Sequence, residues 1–181
     1  MQLLLAFVPF IAFVAVERGV GTLPGLVAGT AASLALLVLD RLRDSGQLRI
    51  LELGTALLFG GLALWGWQFG VDAWSVAGVR LRVDLGLMLI VLASVAMKRP
   101  FTLQYAPALP AEDLARRALY LRTHTRISLV WAAAFALMVA MDLLLIYRPG
   151  MPVRFAVVVT VVALFGAAKF STWYPQQLRG R

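Results

Sequence analysis

Long, nearly unbroken apolar stretches dominate this chain, and they leave it few ways to fold. Six can be marked, at residues 3–16, 23–39, 50–69, 83–97, 127–147 and 153–170. Most approach the roughly 20 residues that an α-helix needs to cross the hydrocarbon of a bilayer. They are apolar on all sides rather than along one stripe, so no face is reserved for water. In hydrocarbon the backbone must satisfy its own hydrogen bonds, and a helix does so within one segment. The expected fold is therefore all-α: a polytopic transmembrane helix bundle, one membrane domain over residues 1–181. Six spans are expected, or five if the short first block, broken by Pro9, is tilted or re-entrant. Composition closes the soluble alternative. Only 14% of residues are charged and 61% are hydrophobic, with a mean hydropathy of +0.85. A soluble domain keeps about 25% charged residues to face water.

The net charge of +8 invites a nucleic-acid reading, but its placement argues otherwise. The 17 Lys and Arg residues sit almost entirely in connections and at span ends. With six spans, 12 of these 17 fall on the side that holds both termini. The positive-inside rule puts that side in the cytoplasm, so both ends are expected inside. Nucleic acid is not an expected partner; the bilayer and its anionic headgroups are. The chain has no cysteine, which excludes disulfides, thiolate metal sites and Cys nucleophiles. No Lys or Arg precedes Arg18, so the opening segment lacks the basic region of a secretory signal and reads as a retained span.

The polar connection 98–126 is the longest. Its later part, 111–126, alternates Arg116, Arg117, Arg122 and Arg126 with an apolar stripe of Leu114, Ala118 and Leu121. That pattern fits a basic amphipathic helix on the cytoplasmic leaflet, or a connecting helix packed on the bundle. Lys98, Arg99, Gln104, Arg116 and Arg117 are the expected contacts to lipid headgroups or a cytoplasmic partner.

Several short motifs now form a recognisable order. Phe7-Val8-Pro9-Phe10 opens the chain, and Phe59-Gly60-Gly61-Leu62-Ala63-Leu64 lies in the third block. Lys98-Arg99-Pro100-Phe101-Thr102-Leu103-Gln104 follows the fourth, and Trp131-Ala132 begins the fifth. The sequence resembles the intracellular septation protein A (YciB) family of bacterial inner-membrane proteins in these motifs, in length and in span order. The departures are an Asn that is missing ahead of Trp131, Leu81-Arg82 in place of a Trp-Lys pair, and Asp84 in place of a Thr. The resemblance implies an inner-membrane protein linked to cell division and envelope integrity, acting with division or envelope proteins. It implies no catalytic reaction.

Three carboxylates fall within apolar blocks: Glu52 one turn into the third, Asp84 at the start of the fourth, and Asp142 deep in the fifth. A charged carboxylate in hydrocarbon costs roughly 2.5–3.5 kcal/mol, so each needs a partner or water. Asp142 is the most demanding, because Arg148 stands at i+6 and cannot reach it along the same helix. An Arg or Lys from another span is required. Such residues serve either as structural interhelical pairs or as proton and ion sites.

Gly21, Gly25, Gly29 and Ser33 recur every four residues, and Gly54, Gly60 and Gly61 dot the third block. Small faces of this kind let helix backbones approach closely in lipid, within one chain or in a homo-oligomer. His124 is the sole histidine, so no metal site is expected, nor any cofactor. No phosphate loop, nucleophile elbow or H-E-x-x-H motif is present, and no acid, base and nucleophile come together. A non-enzymatic assembly protein of the septation type is the leading expectation. A small oligomeric ion or proton channel or transporter using intramembrane carboxylates is the alternative, ahead of a lipid-handling enzyme. Leu58-Phe59-Gly60 with Trp67 and Leu164-Phe165-Gly166 with Trp173 share one spacing, as inverted repeats of a transporter would.

Overall fold

The computed structural model describes residues 7–43, 49–71, 74–106, 114–148 and 150–179. Among the described residues the secondary structure is helical throughout. In chain order it comprises α1 (Val8–Gly19), α2 (Thr22–Arg43), α3 (Ile50–Phe69), α4 (Val76–Ala96), a 3₁₀ turn (Phe101–Tyr105), α5 (Leu114–Tyr147) and α6 (Val153–Arg179). Four of these, α2, α3, α5 and α6, are long and apolar enough to cross a membrane. α1 has 12 residues, about 18 Å at 1.5 Å per residue, and falls short of the bilayer core. α4 has 21 residues but carries Arg80, Arg82 and Asp84. It also begins earlier than the apolar block that starts at 83, because Arg80 finds a buried partner and stays helical.

The chain divides into two compact units, Met1–Val79 and Arg80–Arg181. In the first, α1 packs on α2 and α2 on α3. Phe59 is fully buried, with Phe10 and Phe13 ring centroids at 5.0 and 5.5 Å. Gly29 lies flush against that ring: a Cβ there would stand 2.9 Å from Phe59. Gly25 is equally tight, but against α1, where a Cβ would meet the Phe13 carbonyl oxygen at 3.0 Å. Ser33 returns its hydroxyl to the Gly29 carbonyl at 2.9 Å and faces Thr55 on α3. The small-residue face of α2 is thus shared between two neighbours of its own chain. Gly21 differs. It sits in the α1–α2 turn at φ +127°, a conformation that L side chains rarely adopt.

In the second unit α5 packs on α6 and on the 3₁₀ turn. Trp131 Nε1 donates to Ser171 Oγ at 2.9 Å, and Phe101 meets the Trp131 ring edge-on at 6.4 Å. The amphipathic segment expected over 111–126 is, from Leu114 onward, the opening of α5 rather than a separate surface helix. Residues 114–147 contain neither Gly nor Pro to break it. Thr123 and Thr125 turn their hydroxyls back to the carbonyls of Leu119 and Leu121, four residues earlier. At 34 residues α5 runs about 51 Å, well beyond a hydrocarbon core of roughly 30 Å.

The end of α4 is a Schellman turn. Lys98 N–H donates to the Val95 carbonyl and Arg99 N–H to the Ser94 carbonyl, both at 2.9 Å. Lys98 occupies the left-handed position at φ 56°, where Gly is usual and another side chain costs about 1 kcal/mol. Pro100 then prevents the helix from resuming. The shared Phe-Gly spacing of α3 and α6 does not extend to their surroundings, since Phe59 is buried and Phe165 is 67% exposed.

Candidate functional site: a buried carboxylate pair beside Arg80

Asp142 is the most deeply buried charged residue described, with no solvent exposure. It lies five residues before the end of α5, about 8 Å along the axis. The partner required from another helix is Arg80 on α4, whose Nε stands 3.6 Å from Asp142 Oδ1. Arg80 keeps 26% of its side chain exposed. Asp84 follows Arg80 by four residues and therefore projects from the same face of α4. Its carboxyl lies close enough to the Asp142 carboxyl for the two to interact electrostatically.

The arrangement is short of donors. Both oxygens of Asp142 and Oδ2 of Asp84 are buried without a hydrogen bond from any described residue. A carboxylate only accepts, so two ionised carboxylates in contact repel unless something positive lies between them. Arg80 neutralises one charge of the two. One further positive charge, a proton or a cation, would balance the pair.

The other expected residues lie elsewhere. Glu52, almost fully buried, is in the first turn of α3, where Arg49 bridges it at 3.2 Å to Asp40 at 2.7 Å. That trio clamps the end of α2 to the start of α3. Carboxylates suit a helix N-terminus, so this placement is explained structurally. Gly60 is in ordinary contact distance of Thr30, and Gly61 faces open space. Lys98, Arg99 and Arg117 are exposed, and Gln104 is half-buried. The side chain of Arg116 lies outside the described residues, as do Glu112 and Asp113.

His124, buried on α5, joins a second polar group. Thr102 Oγ1 donates to the His124 carbonyl at 3.0 Å and lies 2.9 Å from Ser128 Oγ and 3.3 Å from His124 Nδ1. Ser94 Oγ accepts from the Phe101 N–H at 3.1 Å. These hydroxyls fasten the Lys98–Gln104 motif to α4 and α5. Among the described residues no three His, Asp or Glu side chains gather as metal ligands would.

Sequence reasoning identified both aspartates but missed Arg80, taking it for part of a loose connection. Its i, i+4 spacing to Asp84 was the available signal. Ser94, Thr102 and Ser128 gave none, since hydroxyls in apolar helices usually bond their own backbone.

These features define a class: an all-helical chain with several helices long and apolar enough to cross a membrane, and a buried ionic cluster in one of its two units. Compared with known proteins, the chain matches no family model, no curated protein and no solved structure.

Proposed function

We propose that this chain is a multi-pass protein of the bacterial inner membrane that binds and passes a proton or small cation at Arg80, Asp84 and Asp142. One observation carries the reading: two buried carboxylates lie close together with Arg80 paired to one of them, and three of their four oxygens find no hydrogen-bond donor among the described residues. A purely structural pair would need one carboxylate, not two. Each extra buried charge in hydrocarbon costs roughly 2.5–3.5 kcal/mol, which a mobile cation offsets each time it binds.

The six-span arrangement with both termini in the cytoplasm belongs to the same proposal. It is supported by α4, which runs antiparallel to α5. Arg80 is level with Asp142, while Phe101, just past the end of α4, is level with Trp131. Asp142 and Trp131 are 11 residues apart, about 17 Å of helix, so α4 descends alongside an apolar span through much of its depth.

The test is flux through the purified protein in sealed liposomes, using pH- and cation-sensitive dyes under an imposed gradient. Wild type is expected to dissipate the gradient, and Asp142→Asn to return it to the rate of empty liposomes. Arg80→Gln should alter cation preference. Wild-type liposomes that hold every gradient, or unchanged flux in Asp142→Asn, would overturn the reading.

A second reading, an assembly role in division and envelope integrity, follows from the motif resemblance to the septation protein A family. The observation favouring it is the outer face of α6, where Val153, Phe155, Val158, Val161, Val162 and Phe165 are all exposed. The chain lacks cysteine, so a single Val158→Cys variant tests this face directly. Oxidation to a covalent dimer in native membranes supports assembly; a monomer under the same oxidation assigns the face to lipid.

A further inference from the structure

The end of the second unit remote from Asp142 is strongly basic. Three contacts show which parts of the chain meet there. Arg126 donates to the Tyr174 hydroxyl, Trp131 to Ser171, and Thr102 to the His124 carbonyl. The first half of α5, the last turns of α6 and the segment after α4 therefore share one level. On it, Lys98, Arg99, Arg122, Arg126 and Lys169 are all exposed. The described carboxylates of this unit, Asp84 and Asp142, lie at the opposite end.

Two further observations point to a ligand rather than to simple orientation in the bilayer. Lys98 holds the left-handed position of the Schellman turn, where glycine would be relaxed. A residue kept in an unfavourable backbone conformation suggests that its side chain is wanted. Beside the cations stands an aromatic group suited to the headgroup level: Phe170 stacks on Tyr174 at 5.0 Å, and Trp173 is half exposed.

We propose that this basic end binds the phosphate of an anionic phospholipid headgroup, with Lys98 and Arg99 as the contacts. Guanidinium groups engage phosphate oxygens bidentately and the lysine ammonium adds a point charge. The acyl chains lie along the exposed apolar sides of α5 and α6. This site is separate from the carboxylate pair, and its failure leaves that reading untouched.

The experiment uses the full chain in nanodiscs of phosphatidylcholine containing a graded fraction of phosphatidylglycerol. The readouts are the melting temperature from tryptophan fluorescence and the lipid retained in native mass spectrometry. The melting temperature is expected to rise and saturate with phosphatidylglycerol, and the anionic lipid to remain bound after transfer to neutral detergent. Lys98→Gly relaxes the turn, so it should melt no lower than wild type in pure phosphatidylcholine. Its half-saturation should nevertheless shift about fivefold, the equivalent of about 1 kcal/mol for one cation at an anionic surface. Arg99→Gln, at an exposed position, should shift it in the same direction. Equal behaviour in both lipids would overturn the proposal, as would an unchanged half-saturation in both variants. So would the same stabilisation by inorganic phosphate in neutral detergent, which would assign the site to a free anion.

Discussion

Gly29 and Gly61 sit in the middle of apolar helices, yet a methyl group added to each would meet opposite fates. At Gly29 the new Cβ would stand 2.9 Å from the buried ring of Phe59, against which Phe10 and Phe13 also pack. The ring cannot retreat without opening the centre of the first unit. Gly29→Ala should therefore lower stability by about 1–3 kcal/mol, the usual range for overpacking a filled core. At Gly61 nothing lies within 4 Å, so Gly61→Ala should be neutral or gain up to about 1 kcal/mol from helix propensity. Equilibrium unfolding of both variants in one mild detergent checks the pair. A loss at Gly61 comparable to that at Gly29 would mean that a partner absent from the single chain covers it. The small-residue spacing of α2 was visible in the sequence, but which neighbour each glycine meets was not. A period of four marks a face, and tertiary packing decides that Gly25 serves α1, Gly29 serves α3 and Gly21 serves a turn.

At the scale of elements, the 3₁₀ turn after α4 is held by side-chain hydroxyls rather than by its own few backbone bonds. Thr102 contacts both the carbonyl of His124 and the hydroxyl of Ser128, all buried. Thr102→Val keeps the shape and strands those partners, which should cost about 1–3 kcal/mol. Amides of the Phe101–Tyr105 turn should then exchange with deuterium faster, while those in the middle of α5 stay protected. Unchanged exchange would mean that Phe101, edge-on to Trp131, anchors the turn alone. Hydropathy made the helices themselves legible, because apolar runs in this chain have no other stable form. Boundaries were less so where charges intervene. Arg80 and Arg82 were read as connection because they interrupt the apolar run, whereas the ion pair to Asp142 keeps the first turns of α4 folded. The opening of α5 was likewise read as a separate segment, since charge patterning reports solvent exposure and not whether a helix continues. Of the candidate site, both aspartates and the need for a cation from another helix were legible. The identity of that cation needed the pairing of α4 with α5.

For the whole molecule, the open matter is how many helices cross, and the charges alone do not decide it. With six crossings, 12 of the 17 Lys and Arg residues lie on the side of the termini. If only α2, α3, α5 and α6 crossed, Arg18, Arg80 and Arg82 would join that side and Arg41, Arg43 and Arg49 would leave it. The division would again be 12 against 5. The positive-inside rule is therefore satisfied equally by both arrangements. What separates them is the connection between α3 and α4, which is outside the cell with six crossings and inside with four. The antiparallel course of α4 along α5, from the level of Asp142 to that of Trp131, favours the first. Ser75→Cys introduces a single thiol just before α4 with little change in size, in a chain that otherwise has none. A membrane-impermeant maleimide added to intact spheroplasts should label it at once. Labelling only after the membrane is permeabilised would remove α4 from the crossing helices and leave Asp84 on the cytoplasmic side. Gln2→Cys then settles α1. A thiol protected in intact spheroplasts gives six crossings, and one labelled from outside gives five, in which 12 residues of α1 lie too short to traverse the hydrocarbon.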